Sequence, residues 1–280
     1  MGTSPSVASA VDCHFHVIGP HAHFPMHPAR SYTPAQADVH QWREVLGPLG
    51  ITHGVVVQPS VYGTDNRALL AALAEGAGQL IGVAAVDASV TDAELMALAS
   101  AGVRGVRMAH FESGDPRAMG GFVSFAVFDA LEDRLHAHGM HLQLFTDSRL
   151  LPGIAQRLHK ARVPVVIDHM GRAPASLGAD HSGLAMLREL LADCRVWVKL
   201  SGVANVSDAA PDYDDARLIH ESLIGANVER VVWGSDWPHT RPSGTAPRTA
   251  DLFALFLQWT PATADRERIL RTNPRRLYGI

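Results

Sequence analysis

Aspartate and histidine recur in this chain at spacings that let them share one site. Asp12, His14 and His16 alternate along one extended run, Asp168 and His169 close a second, and Gly234-Ser235-Asp236-Trp237-Pro238-His239 closes a third. Side chains two residues apart in a strand share a face, so Asp12, His14 and His16 are expected to project together. Imidazoles beside a carboxylate can pass protons near neutral pH, or hold a divalent cation that polarises a carbonyl and acidifies water. Sixteen histidines against four tyrosines make a hydrolytic or metal-assisted reaction the class to look for. Zinc takes three or four ligands; His14, His16 and Asp236 supply three, with His169 as a further imidazole nearby. Arg107 ends another strand-like run. Its planar fork suits a substrate carboxylate, and its alternative use is a surface ion pair. Tyr32, Ser60, Tyr62 and His239 fall in segments expected to loop around the same rim and are candidate substrate contacts. Lys199, among apolar neighbours, is expected to form a structural ion pair with Asp12 or Asp168. Trp237 is expected to pack beneath the site, and His21, His23 and His27 to lie in a solvated loop.

These residues need a scaffold that brings distant segments to one place. Short β-branched runs at 11–17, 53–58, 80–86, 103–108, 141–146, 164–170, 196–201 and 230–237 alternate with helix-spaced segments at 65–76, 91–101, 123–137, 150–160, 184–192, 214–225 and 250–259. Thr91-Asp92-Ala93-Glu94 reads as a capping box at a helix start. Strands alternating with helices require parallel crossovers, and eight repeats in 280 residues predict an α/β fold, a single-domain (β/α)8 TIM barrel. The rival doubly wound sheet lacks a GxGxxG after its first strand. In a closed barrel the first and last strands are neighbours, and active sites lie at the C-terminal ends of the strands, so His14, His16, His169 and Asp236 are expected at one rim. Residues 1–10 read as a frayed leader and 11–280 as the barrel, with the proline-rich stretch 19–34 folding over its mouth. Asn273-Pro274 marks a last helix, with Leu277 and Tyr278 packing on the barrel.

Composition narrows the partners. A net charge of −4 with 19% charged residues gives no basic surface for nucleic acid, and a small molecule is the expected substrate. Cys13 and Cys194 cannot build a disulfide framework, and with no apolar run long enough for a membrane span or signal peptide the expectation is cytoplasmic.

Eight segments in order resemble the lactonase branch of the amidohydrolase superfamily, the branch that includes 2-pyrone-4,6-dicarboxylate lactonase. They are Val11-Asp12-Cys13-His14-Phe15-His16, Arg30-Ser31-Tyr32-Thr33-Pro34, Val55-Val56-Val57-Gln58, Asp65-Asn66-Arg67-Ala68, Gly102-Val103-Arg104-Gly105-Val106-Arg107, Val166-Ile167-Asp168-His169-Met170-Gly171-Arg172, Trp233-Gly234-Ser235-Asp236-Trp237-Pro238-His239 and Asn273-Pro274-Arg275-Arg276-Leu277-Tyr278. The resemblance implies a hydrolase that opens a lactone ring with water. Asp236 would be the general base, and His14, His16 and His169 would polarise the carbonyl. Strand five carries its histidine, His141, at the wrong end to join a metal site, and Arg107-Met108-Ala109 stands where binuclear members have a bridging lysine. No metal is therefore the favoured expectation, with a divalent ion such as zinc on His14, His16 and Asp236 as the alternative. Arg107 is the only carboxylate clamp recognised, which points to a singly carboxylated or sugar-acid lactone rather than a dicarboxylate. A nonoxidative, metal-dependent decarboxylase of the same superfamily is the alternative activity.

Overall fold

The computed structural model describes residues 10–112, 120–240 and 246–280. Its eight strands are β1 (Ala10–Phe15), β2 (Ile51–Val57), β3 (Leu80–Ala84), β4 (Val103–His110), β5 (His141–Thr146), β6 (Val165–Ile167), β7 (Val196–Leu200) and β8 (Val231–Trp233). All pair in parallel in the order β1 to β8. The seam between first and last strand closes just beyond β8, where Asp236 N–H donates to His14 O at 2.8 Å and His16 N–H donates to Trp237 O at 2.8 Å. The expected (β/α)8 barrel is the observed fold, and its closing hydrogen bonds run through the candidate site residues themselves.

Around the strands lie α1 (Val39–Leu46), α2 (Arg67–Glu75), α3 (Asp92–Ser100), α4 (Phe128–Ala137), α5 (Leu151–His159), α6 (Ser182–Ala192), α7 (Asp214–Asn227) and α8 (Thr249–Trp259). The capping box at α3 forms as expected, with Glu94 N–H donating to Thr91 Oγ1 at 3.2 Å and Thr91 N–H donating to Glu94 Oε2 at 2.7 Å. Helix α1 was not expected. Asp38 and Gln41 cap it reciprocally, and its buried stripe of Val39, Trp42 and Leu46 lies against the sheet. Truncating a fully buried tryptophan such as Trp42 costs about 3–5 kcal/mol, so α1 is firmly held. After α8 come a short helix α9 (Thr263–Glu267), a π-helical turn and α10 (Asn273–Tyr278). Asn273 Nδ2 donates to the carbonyls of Val228 and Val231 at 2.7 and 2.8 Å, which pins α10 beneath β8.

Two cores result. One fills the space between strands and helices. The other fills the lower barrel axis with Val11, Cys13, Val55, Val57, Val83, Val166, Trp197 and Val232, and Tyr278 from α10 plugs its end. Strands β6 and β8 are shorter than expected because the chain turns left-handed just past them: His169, Met170, Gly171 and Arg172 all have positive φ, as does Asp236 at 60°. The leader was expected to run to residue 10, but Ala10 begins β1; the rest of it lies outside the described residues. The stretch 19–34 folds over the mouth, closed at its base by Ile18 and Ala37 pairing backbone to backbone at 2.7 and 2.9 Å. Among the described residues no helix is long and apolar enough to cross a membrane.

Candidate active site

A β-bulge sets the geometry of β1. The register with β2 slips between Asp12 and Phe15, so strict alternation fails there. Asp12 does not share the face of His14 and His16. It accepts from Trp42 Nε1 at 3.0 Å and from the backbone N–H and hydroxyl of Ser235 at 2.8 and 2.6 Å. Asp12 therefore fastens α1 and the β8 end to β1, while His14 and His16 turn inward. His14 Nε2 lies 3.3 Å from His16 Nε2 and 3.6 Å from Asp236 Oδ1. His16 Nε2 and His169 Nε2 are each 3.8 Å from the same Asp236 oxygen. All four predicted catalytic residues thus meet at one point.

Close packing of backbone makes this approach possible. A Cβ at Gly234 would lie 2.6 Å from His14 Cβ, and one at Gly202 would lie 2.5 Å from His169 Nδ1, so only glycine fits either place. His169 is further held by a 2.9 Å hydrogen bond between its Nδ1 and Ser201 Oγ.

Beneath the imidazoles lies a buried polar network. Asp168 Oδ2 accepts from Arg107 Nε at 3.0 Å and from Gln143 Nε2 at 3.1 Å, and Lys199 Nζ donates to Gln143 Oε1 at 2.6 Å and lies 3.7 Å from Asp168 Oδ1. The expected ion pair of Lys199 is thus with Asp168, not Asp12. Burial disfavours the charge of Asp168, but the facing charges of Arg107 and Lys199, with the adjacent His14 ring, outweigh it and hold the carboxyl well below its usual range. Asp236 experiences the opposite balance: burial pushes it up to about 7, with Arg107 and Lys199 only partly opposing and Asp168 and Asp12 adding to the rise. Burial, reinforced by the Arg107 charge, drives His16 down to about 3, and burial drives His169 to about 3 against the pull of Asp168. Burial and the Lys199 charge take His14 well below its normal value. At neutral pH the three rings are neutral, each with one donor and one acceptor, around a carboxyl group that is poised to take a proton.

Above this cluster opens a cavity of about 210 Å³, room for a small metabolite. Tyr32, Ser60, Arg107 and His239 line it as expected, and the Ser60 Oγ, though buried, has no hydrogen-bond partner among the described residues. His239 is fixed by Thr249 Oγ1 at 2.9 Å. Tyr62 was expected at the rim but does not line the cavity. Its hydroxyl accepts from Gly19 N–H at 3.1 Å and ties down the loop over the mouth. Among the described residues Arg107 makes no surface ion pair: its partner is the buried Asp168 and its side chain is 7% exposed. Arg172, which ends the segment Val166-Ile167-Asp168-His169-Met170-Gly171-Arg172 and is not among the expected substrate contacts, also lines the cavity. The left-handed turn after β6 swings it to the cavity, where Arg107 and Arg172 stand over the Phe145 ring at 5.0 and 4.9 Å. Two arginines rather than one therefore face the cavity.

His14, His16 and Asp236 also form a group that can hold a metal ion. The donor set fits: the outer Nδ1 of His16 is bonded to the Val57 carbonyl at 2.7 Å, the kind of outer hydrogen bond that orients a ligating imidazole. At the β5 rim, where a further histidine could have joined, stand Phe145 and Thr146. His141 lies at the other end of β5 with its ring against Tyr278, as its position in the sequence implied.

Comparison with known proteins gives the family. Residues 11–280 match the amidohydrolase family profile. The chain belongs to the amidohydrolase family. It is 32% identical to 4-sulfomuconolactone hydrolase of Hydrogenophaga intermedia over 270 residues, covering 96% of this chain and 88% of that one. It is also 32% identical to 2-pyrone-4,6-dicarboxylate hydrolase of Comamonas testosteroni over 283 residues, covering 97% and 90%. A ligand-free crystal structure of an Agrobacterium tumefaciens protein superposes with a TM-score of 0.87 at 29% identity, covering 98% of this amidohydrolase and 96% of that chain.

Proposed function

We propose that this amidohydrolase opens the ring of a small anionic lactone by adding water, with Asp236 as general base. The observation that carries the reading is the Asp236 carboxyl, pushed up to about 7 and surrounded by three imidazoles, on the floor of a cavity that two arginines flank. The names of the two similar hydrolases, both acting on anionic lactones, support it.

In the proposed reaction the lactone carbonyl lies over the imidazoles with its anionic substituent toward Arg107 and Arg172. Asp236 takes a proton from water as the water oxygen bonds to the carbonyl carbon. The Nε2–H of His169, whose Nδ1 accepts from the Ser201 hydroxyl, donates to the developing oxyanion, where a preorganised donor lowers the barrier. When the tetrahedral adduct collapses, the ring C–O bond breaks and Asp236 returns its proton to the leaving alkoxide, which yields a hydroxy acid. A divalent cation such as zinc, when held by His14, His16 and Asp236, would supply carbonyl polarisation and a more acidic water. We propose that turnover does not require it, a reading supported by Phe145 and Thr146 standing at the β5 rim in place of a histidine.

Tyr32, Ser60 and His239 are proposed substrate contacts, and Ser60 has the clearest case because its buried hydroxyl lacks a partner among the described residues. The second arginine widens the expected substrate from a singly charged lactone to a multiply charged one. Cys13 and Cys194 are both free thiols, which suits a cytoplasmic enzyme. The test is acid release from a panel of sugar-acid lactones, muconolactones and pyrone carboxylates, with and without chelator. Ring opening should follow substrate charge. Carbon dioxide release without ring opening would instead identify a decarboxylase.

A further inference from the structure

Among the described residues Lys199 is the one buried cation beneath the site that the proposed reaction does not use, and its hydrogen bonds form a chain with a direction. At one end His16 Nδ1 lies 2.7 Å from the Val57 carbonyl oxygen, which can only accept, so the His16 proton sits on Nδ1 and its Nε2 is a lone pair. At the other end Lys199 Nζ lies 3.3 Å from His14 Nδ1. The Gln143 amide is oriented by its Nε2 donating to Asp168, which leaves Oε1 to receive Lys199 at 2.6 Å. Lys199 is therefore placed as a donor toward His14, and His14 Nδ1 accepts. A neutral imidazole that accepts at Nδ1 carries its proton on Nε2, and that proton points at the His16 Nε2 lone pair 3.3 Å away. Both ends of the chain demand the same direction. The competing arrangement would have His14 Nδ1 donate to Asp168 Oδ1, also 3.3 Å away, but it would leave the Nε2 lone pairs of His14 and His16 facing each other across 3.3 Å.

We infer that Lys199 is a positioning residue that holds His14 in the Nε2–H tautomer and thereby biases the cluster toward a hydrogen-bonded rather than a cation-holding state. A metal ion on His14 needs the Nε2 lone pair, so the proton must move to Nδ1, where it loses the Lys199 hydrogen bond and faces an ammonium. Replacing Lys199 with methionine removes the donor, lets His14 Nδ1–H turn to Asp168 Oδ1, and frees Nε2. Changes in the groups behind a ligating imidazole alter metal affinity by about 10–100-fold, and here the change is toward tighter binding.

Two measurements test this, and neither involves turnover, so the inference stands or falls separately from the proposed substrate. In chelator-treated wild-type protein with 15N-labelled histidine, long-range nitrogen–proton correlations, assigned with His14→Gln, should report His14 protonated at Nε2. Calorimetric zinc titration should show Lys199→Met binding about 10–100-fold more tightly than wild type. A His14 proton on Nδ1 in the metal-free wild type, or equal zinc affinity in the two proteins, overturns the inference. The tautomer measurement uses the wild-type chain, so it decides the matter even if Lys199→Met does not fold.

Discussion

The two ends of the barrel axis each bury a histidine, and the contrast between them shows what makes one end a site. At the lower end His141 packs its ring against Tyr278 and over Gly105, where a Cβ would come within 2.3 Å of it, and burial pushes it down to about 3. At the upper end burial also leaves His14 neutral, yet His14 faces Lys199, Asp168, His16 and Asp236. Depressed basicity is common to both. The lower ring has a backbone hydrogen bond at Arg104 and an Nε2 with no partner among the described residues, whereas the upper ring is joined at both nitrogens to side chains and faces a carboxyl that can receive a proton. A perturbed histidine therefore marks burial, and the pairing with Asp236 marks chemistry.

Substitutions at the two ends should separate activity from stability. The largest effect is expected for Asp236→Asn, which removes the base: lactone turnover, followed by acid release, should fall by about 10²–10⁴-fold with the thermal midpoint little changed. Tyr278→Ala, at the plugged end, should do the reverse, lowering the urea-unfolding free energy by about 3–5 kcal/mol and leaving kcat near wild type. Loss of activity without loss of stability in Tyr278→Ala would erase the distinction between the ends. A smaller effect is expected at the cavity wall. Arg172→Ala should raise KM for anionic lactones by an amount equivalent to about 1.5–3 kcal/mol, the range of a charge-assisted hydrogen bond, and hardly affect uncharged ones. Equal losses on both would make Arg172 structural.

Acid stability sharpens the comparison further, with the smallest effect. Because Asp168 is held below its ordinary range, its contribution to stability is present above the unfolded value and is lost as pH falls through the lowered one. Asp168→Asn should therefore flatten the acid side of the stability curve. An unchanged acid limb would remove Asp168 from its place at the centre of the network.

The barrel could be read from the chain because alternation of β-branched runs with helix-spaced segments survives in sequence, and so do His14, His16, His169 and Asp236 at run ends. What escaped the reading has local causes. Helix α1 follows four prolines, and its Asp38–Gln41 cap was hidden behind them. The Asp12 side chain points away from His14 because of a bulge, which a two-residue period cannot express. Strands β6 and β8 stop early, and Arg172 enters the cavity, because non-glycine residues there take positive φ. Tyr62 has the composition of a substrate contact but spends its hydroxyl on Gly19 N–H. The role of Lys199 depends on which atom of Gln143 faces it, a fact that belongs to the packed barrel.

The most direct test of the account is the pH dependence of kcat/KM for lactone hydrolysis by chelator-stripped enzyme. Asp236 must be ionised to take a proton from water, and burial pushes it up to about 7, so the rate should climb as pH rises through about 7 and then level off. Added zinc should change the plateau by less than roughly tenfold. A stripped enzyme that is inactive at every pH and recovers only with a divalent metal would contradict the account.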